Sequence, residues 1–367
     1  MADKKISAQT ETQDRSDFLL RGAIPDGAGG FLDRSFNLNR IEPNKNLLIN
    51  GGFQVWQRGT SFVSPAHNEI ISDNWRHGNG GAGGTVGAST DTQEADTPDT
   101  NSLFSYRVEV TTAVTTPPAQ TESHVRVGVE GYNFSEIFGN DCVLTFWVKS
   151  NVVGQFSVVA INRDADLAYG IPYTIDSADT WEKKEIVIPF SQQTDPANWK
   201  FDNQQSFRIR FALFADSFYT APSGWNTGNY VGVDGQTNLY ATVGNYLQLS
   251  QVKLELGQSS TAFKQEDYAT LLKKCQRYIQ YIHCHADYEA LSGDLAKNFC
   301  GHTVSWPEMM DTPTVTETQA PAQIGNVNDY ALKTNEICST GSRFNIRAVA
   351  AGRSYCHDVV YELDSSL

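Results

Sequence analysis

The chain has 367 residues and a formal net charge of −14, from 42 acidic against 28 basic side chains. That balance excludes a general nucleic-acid binder, which needs a cationic face to displace counterions, and it disfavours an anionic membrane surface. With 40% hydrophobic, 19% charged and 11% aromatic residues and 29 glycines, the composition suits short strands and many turns better than long helices.

Residues 1–44 are polar and carry no sustained hydrophobic period. Phe18-Leu19-Leu20 and Phe31-Leu32 are strand-like and sit around a glycine loop at Gly27, Gly29 and Gly30. Such a segment buries too little surface to offset its ordering entropy, so it reads as an extended arm held by a partner. No signal-peptide core occurs in residues 1–30, and apolar runs such as Cys142–Val148 are too short to span a bilayer. A chain folded in a cytosol is expected, without membrane insertion. Its six cysteines, none in CxxC spacing, then read as buried thiols rather than a disulfide frame.

From 45 to 263 short alternating runs are separated by turn chemistry. The first is Leu47, Leu48 and Ile49, then an Asn50-Gly51-Gly52 turn, then Phe53 and Val55 with Trp56 pointing the other way. This opening reads as a strand broken by a glycine turn. Tyr106-Val108-Val110 and Val125-Val127-Val129 alternate with polar residues, as half-buried strands do. Val143–Val148 is more continuously apolar, as a strand covered on both faces would be. Phe156–Ile161, Lys184–Ile188, Phe207–Phe214 and Tyr246–Leu256 complete the series. Many strands without intervening helices predict a mainly β chain whose body is a jelly-roll β-sandwich.

Gly78, Gly80 and Gly83 match the spacing of a dinucleotide fingerprint, but a Ser/Thr-rich stretch follows instead of a helix. A glycine loop is expected there, with no phosphate seat. No Walker A lysine, HExxH or GxSxG occurs. No carboxylate pair nominates itself as acid and base, so no catalytic residue and no cofactor are assigned.

Over 264–282, Tyr268, Leu271, Leu272, Cys275, Tyr278, Ile279 and Ile282 fall at helical spacing, which predicts a linking helix. Strand-like runs return at Phe299–Trp306, Thr314–Thr318, Arg343–Ala348 and Tyr355–Leu363. They predict a small β-rich domain over 283–367.

Candidate sites are few. Trp56, Trp75 and Trp147 lie inside strand motifs and are expected in the core. Trp199 and Trp225, with Tyr219 and Tyr230, lie in polar loops. They are the candidates for stacking on sugar rings, with loop packing as the competing role. His283, Cys284, His285, Cys300 and His302 have the chemistry of a transition-metal site. Their spacing matches no established zinc pattern, and ordinary thiols and histidines are preferred, so no metal is assigned. Asp164 with Asp166, and Asp176 with Asp179, have oxygen ligands suited to Ca²⁺ but read first as solvated turn residues.

Several stretches together resemble a family. Asn46–Gly59, Ser72-Asp73-Asn74-Trp75, Leu144–Ser150, Thr180–Lys184, Trp225–Tyr230, Val252–Gly257 and Cys275–Tyr278, in that order, look like a domain of tail-fibre and appendage proteins of tailed bacteriophages. The opening is also similar to that of jelly-roll carbohydrate-binding modules. The family's usual Ala-Asp-Arg-Trp is Ser-Asp-Asn-Trp here, and its Pro-Phe is Ala262-Phe263. The resemblance covers about residues 46–280 and implies a non-enzymatic subunit of a virion fibre or spike that meets host-surface polysaccharide. Such a subunit is assembled in the host cytoplasm. Residues 1–44 would then join other virion proteins of the tail, neck or head. The family implies a homotrimer, and the apolar stripe of the helix places Tyr268, Leu272, Cys275 and Tyr278 at its interface. A head or neck fibre without a receptor role, and a polysaccharide-cleaving tailspike, are the alternatives. An anchor at the N-terminus points later residues outward, so 283–367 is expected to carry host recognition.

Overall fold

The computed structural model describes residues 24–25, 31–32, 45–290, 299–325, 327–332, 337–338, 340–348 and 352–365. Most of the expected arm, including Phe18-Leu19-Leu20, lies outside the described residues. Within it Ile24–Pro25 pairs antiparallel with Phe31–Leu32.

The sandwich strands in chain order are β1 (Ser61–Val63), β2 (Glu69–Ile70), β3 (Trp75–Gly80), β4 (Ala88–Glu94), β5 (Ser105–Thr112) and β6 (Glu122–Glu130). A short helix α1 (Gly131–Phe134) precedes β7 (Cys142–Ser150), β8 (Gly154–Asn162), β9 (Leu167–Ile175) and β10 (Glu182–Ile188). Then come β11 (Gln205–Ala215), β12 (Gly224–Thr227) and β13 (Tyr246–Leu256). One sheet has seven strands in the order β12-β9-β8-β11-β6-β3-β2, and the other six in the order β10-β7-β13-β5-β4-β1. Every pairing in both is antiparallel.

The body is a jelly-roll β-sandwich, and the period-2 alternation is its cause. It turns Val125, Val127 and Val129 of β6, Phe207, Ile209 and Phe211 of β11, and Leu144, Phe146 and Val148 of β7 into one shared core, each buried to 1% exposure or less. Each such side chain contributes about 2 kcal/mol relative to leaving it in water. Trp75 and Trp56 join them, as expected, whereas Trp147 is half-buried on the outer side of β7.

The opening segment is not a strand. Residues 47–58 are turns and irregular backbone, with Asn50 at φ 58° and Phe53 at φ 53°, conformations that cannot extend a ladder. Asn50 is the hub. Its Nδ2 donates to Val55 O (2.8 Å), Ser72 Oγ (2.8 Å) and Asp73 O (3.1 Å), while its Oδ1 accepts from Gln54 N and Val55 N. A Cβ on Gly51 would come within 1.9 Å of Val252 O, so glycine is needed for the close approach to β13.

Helix α2 covers Tyr268–Gln276, capped by Asp267, whose carboxylate accepts from Thr270 N at 3.1 Å. Leu271 and Cys275 pack on Val55. The helix expected to run to 282 ends here, and Ile279–Ala290 is strand β14. Tyr278, Ile279 and Ile282 fit a helical stripe, but Ile279, Tyr281 and His283 equally fit alternation. The ladder to a long partner, from Ile279↔Asp364 to Ala290↔Gly352, decides the competition, so the C-terminal unit starts at 279 rather than 283.

That unit continues with β15 (Phe299–Ser305), β16 (Thr314–Gln319), β17 (Gln323–Gly325), β18 (Val327–Leu332), β19 (Gly341–Ala348) and β20 (Gly352–Asp364). One sheet runs β14-β20-β16 with β17 also on β20, and the other runs β15-β19-β18. Its core holds Cys284, Trp306, Met309, Phe344, Cys356, Val359, Tyr361 and Leu363. It is clamped to the sandwich: Arg58 Nε donates to Glu362 Oε2 at 3.0 Å, Arg58 Nη2 lies 3.4 Å from Asp364, and Gln57 Nε2 donates to Ile279 O at 3.1 Å.

Candidate functional site

The same alternation that fills the core aims arginines outward from the seven-stranded sheet. Arg76 of β3 lies directly opposite Arg126 of β6, which lies opposite Arg210 of β11. Arg208, two residues along β11, shares that face. Like charges in register are destabilising, so this row needs a reason. Arg126 and Arg210 are 9% and 6% exposed, whereas Arg76 and Arg208 are half-buried and reachable.

Loop 216–238 folds over part of the face through a parallel bridge between Thr220–Ala221 and Gly232–Val233. Tyr230 packs on Val159, Ile161 and Ala168. Arg210 Nη1 donates to Asn229 Oδ1 (2.9 Å) and Tyr230 O (2.7 Å). Arg76 Nη1 donates to Asn68 O at 2.7 Å and Arg126 Nε to Asn68 Oδ1 at 3.3 Å. Among the described residues no carboxylate lies within ion-pair distance of Arg126, Arg208 or Arg210, and the buried Nε atoms of Arg208 and Arg210 lack a hydrogen-bond partner. Burial first, then Arg208, Arg76 and Arg210, depress the Arg126 pKa to about 8, and burial with Arg208 brings Arg210 to about 9. A guanidinium remains cationic at neutral pH under such shifts.

The compensating carboxylate on this face is Glu122, whose Oε2 lies 2.6 Å from His124 Nδ1. Burial, opposed by Glu122 and reinforced by Arg210 and Arg126, pushes His124 down to about 4. Glycines make room for the imidazoles: a Cβ on Gly78 would meet the His124 ring at 2.4 Å. Gly78 and Gly80 are therefore strand residues of β3, correcting the loop expected from their spacing.

At its Arg76 end the face borders a cleft of about 350 Å³, also lined by Met310, Asp311, Thr312, Thr314, Asp364 and Ser365 of the C-terminal unit. A second cleft, of about 400 Å³, lies beside α2 where residue 45 enters the sandwich. Its cations are already matched, Lys45 to Glu136, Lys274 to Glu266 and Arg277 to Glu130. By contrast, Arg126, Arg208 and Arg210 have no ion pair among the described residues.

The aromatic candidates separate. Trp199 is 4% exposed within a cluster of Phe134, Phe190 and Phe207. Tyr219 is 7% exposed, packs with Ala212 and Val231, and accepts from Ala82 N at 3.2 Å. Both are corrected from recognition to packing, because a ring with covered faces cannot stack on a sugar. Trp225 is half-buried at the sheet edge, its ring 4.9 Å from Tyr169. Tyr230 is the one that the fold brings to the arginine row. The four arginines were missed: "HVRVGVE" and "FRIRF" place Arg126, Arg208 and Arg210 at outward strand positions, but nothing local sets those strands and Arg76 side by side.

The proposed interface residues separate too. Tyr268 is 55% exposed and Leu272 half-buried, but Cys275 and Tyr278 are buried within the chain at 0% and 1%. The Tyr278 hydroxyl donates to Glu130 at 2.7 Å. These two are corrected to intramolecular packing. His283 and His285 are exposed while Cys284 faces the core. The side chains of Cys300 and His302 lie outside the described residues, and no metal-ligating cluster occurs among those described. Asp179 instead accepts from the Tyr246 hydroxyl at 2.6 Å, and Asp166 from Asn162 at 2.7 Å.

A Ser-His-Asp arrangement does occur. His77 Nδ1 lies 2.7 Å from Asp91 Oδ2 and its Nε2 lies 3.4 Å from Ser123 Oγ, with Tyr106 and Tyr240 hydroxyls alongside. All five side chains are fully buried between the sheets. No substrate reaches them, and they act as a polar strut joining β3 to β4 and β5.

The sheets thus define a mainly β, jelly-roll chain with a cationic outer face. No family model matches it, and no curated protein does. Among solved structures it is similar to the enzymatically active domain of tailspike protein 4 of bacteriophage CBA120 (14% identity, TM-score 0.30), over 59% of this chain but 22% of that one. It is similar to a family 11 carbohydrate-binding module of a Clostridium thermocellum cellulase (11%, 0.28), over 55% of this chain and 98% of that one. A xylan-binding CBM22-1 domain from Paenibacillus barcinonensis (9%, 0.26) is covered over 98%, by 55% of this chain. At these scores the likenesses carry no functional argument.

Proposed function

We propose that the chain is a non-enzymatic structural subunit of a bacteriophage fibre or spike, joined to the particle through residues 1–44 and binding host-surface glycan. The family resemblance of residues 46–280 supports the virion role. The observation that carries glycan binding is the outer face of the seven-stranded sheet, where the reachable Arg208 shares a face with Arg210, which is held by Asn229 and Tyr230, and with Arg126, which is held by Asn68. Such donors beside an aromatic ring suit hydroxyl-rich ligands. The cleft at Arg76 draws on both units, which supports recognition shared between the sandwich and residues 283–367.

The test has two arms. Full-length protein and a chain lacking residues 1–44 are offered to assembling particles, and both are mixed with host capsule or lipopolysaccharide. The truncated chain should stay folded and bind polysaccharide but fail to join particles. Incorporation without residues 1–44 would overturn the anchor, and shortened polysaccharide chains would replace the structural reading with a cleaving spike.

A further inference from the structure

We infer that the outer face of the seven-stranded sheet selects acidic sugars, with Arg208 meeting the ligand's carboxylate and Arg126 and Arg210 set beneath it. The inference deepens the glycan reading and rests on it. Three observations carry it.

The first is register. Arg76, Arg126 and Arg210 sit on adjacent strands about 4.8 Å apart, so three like charges span roughly 10 Å. A strand face that only had to meet water could carry threonine or glutamine at these positions without repulsion. The second is the lack of ion pairs. The cleft beside α2 matches each cation with a carboxylate, but on this face Arg126, Arg208 and Arg210 form no ion pair among the described residues and share the field of Glu122, while Arg76 lies toward Asp364. The buried Nε atoms of Arg208 and Arg210 have no hydrogen-bond partner, so burial of these two cations is incompletely compensated within the chain. The third is the background. A chain of net charge −14 repels an acidic polymer on the whole, so a local cationic row favours docking there. Guanidinium suits the role because its fork matches a carboxylate with two parallel hydrogen bonds.

Full-length protein is applied to an array of uronate- and sialate-bearing oligosaccharides, each paired with its carboxyl-reduced form. The acidic member of at least one pair should bind tenfold or more tightly than its neutral counterpart, with affinity falling as salt rises. Arg208→Gln should abolish most of that preference, bringing the acidic member's affinity down to that of its neutral counterpart. Arg126→Gln should do the same and raise the melting temperature, since it removes a buried charge without a carboxylate partner. Equal binding of both members of every pair would overturn acid selection but leave glycan binding standing. Binding to neither member would overturn both. A lower melting temperature for Arg126→Gln would make the row a structural device and also refute the inference.

Discussion

The sandwich and the C-terminal unit are both antiparallel β-structure, yet they are held together differently. In the sandwich two broad sheets share a continuous aromatic and aliphatic core, in which Phe53, Trp75 and Tyr106 meet at ring separations of 4.8 and 5.7 Å. In the C-terminal unit one long strand, β20, pairs with β14, β16 and β17 over a much smaller core. Burial of apolar area scales with shared interior. The sandwich is therefore the stable body, and the C-terminal unit draws more of its order from backbone ladders and from the clamp at Arg58.

The largest expected effects break the two cores separately. Trp75→Ala should cost about 4 kcal/mol and Phe344→Ala about 3 kcal/mol. In denaturant melts the first should lower the sandwich transition and the second a distinct C-terminal one. A single transition shifted alike by both would show that the units unfold as one. Asn50→Ala should cost about 2–3 kcal/mol, because it strands several buried hydrogen-bonding groups at once. It should act on the sandwich transition alone.

Acid titration sharpens the comparison. His124, inside the sandwich, is pushed from 6.5 to about 4 chiefly by burial. Its folded state binds fewer protons than the unfolded chain, so its contribution to stability rises with pH between about 4 and 6.5. Asp73, at the junction with the C-terminal unit, is raised from 3.8 to about 6 by burial. Its folded state binds more protons, so its contribution falls as pH rises over about 4 to 6. The two nearly cancel in wild type between pH 5 and 6. His124→Gln should expose stability that falls with pH, and Asp73→Asn stability that rises, each by about 1 kcal/mol per pH unit. Parallel profiles for wild type and both variants would refute the pairing. The smallest effect is Arg58→Met, about 1–2 kcal/mol for a partly exposed ion pair. It should appear as faster amide exchange in β14 and β20, with the sandwich unchanged.

Strand positions were legible because alternation is local, and Val125-Val127-Val129 needs no distant information to be placed. Tyr278, Ile279 and Ile282 misled because a short apolar run fits both periods, and only the ladder to Asp364, far along the chain, chooses between them. Trp199 looked exposed amid polar neighbours, since the Phe134 ring that covers it comes from far along the chain and the nearby Phe190 and Phe207 reach it only once the loop folds back. The arginines lay hidden for the opposite reason: each alone reads as an ordinary solvated strand residue, and the row exists only across three strands.

The clamp between Arg58 and Glu362 has a mechanical meaning. It brings residue 362 back beside residue 58, so the chain between them forms a closed circuit. Tension applied across those two points would be shared by the Arg58 ion pairs and the Gln57 hydrogen bond to Ile279, in parallel with the sandwich rather than in series with it. Load entering beside residue 58 and leaving beside residue 362 would take the short route through the clamp instead of the long one through the sandwich core.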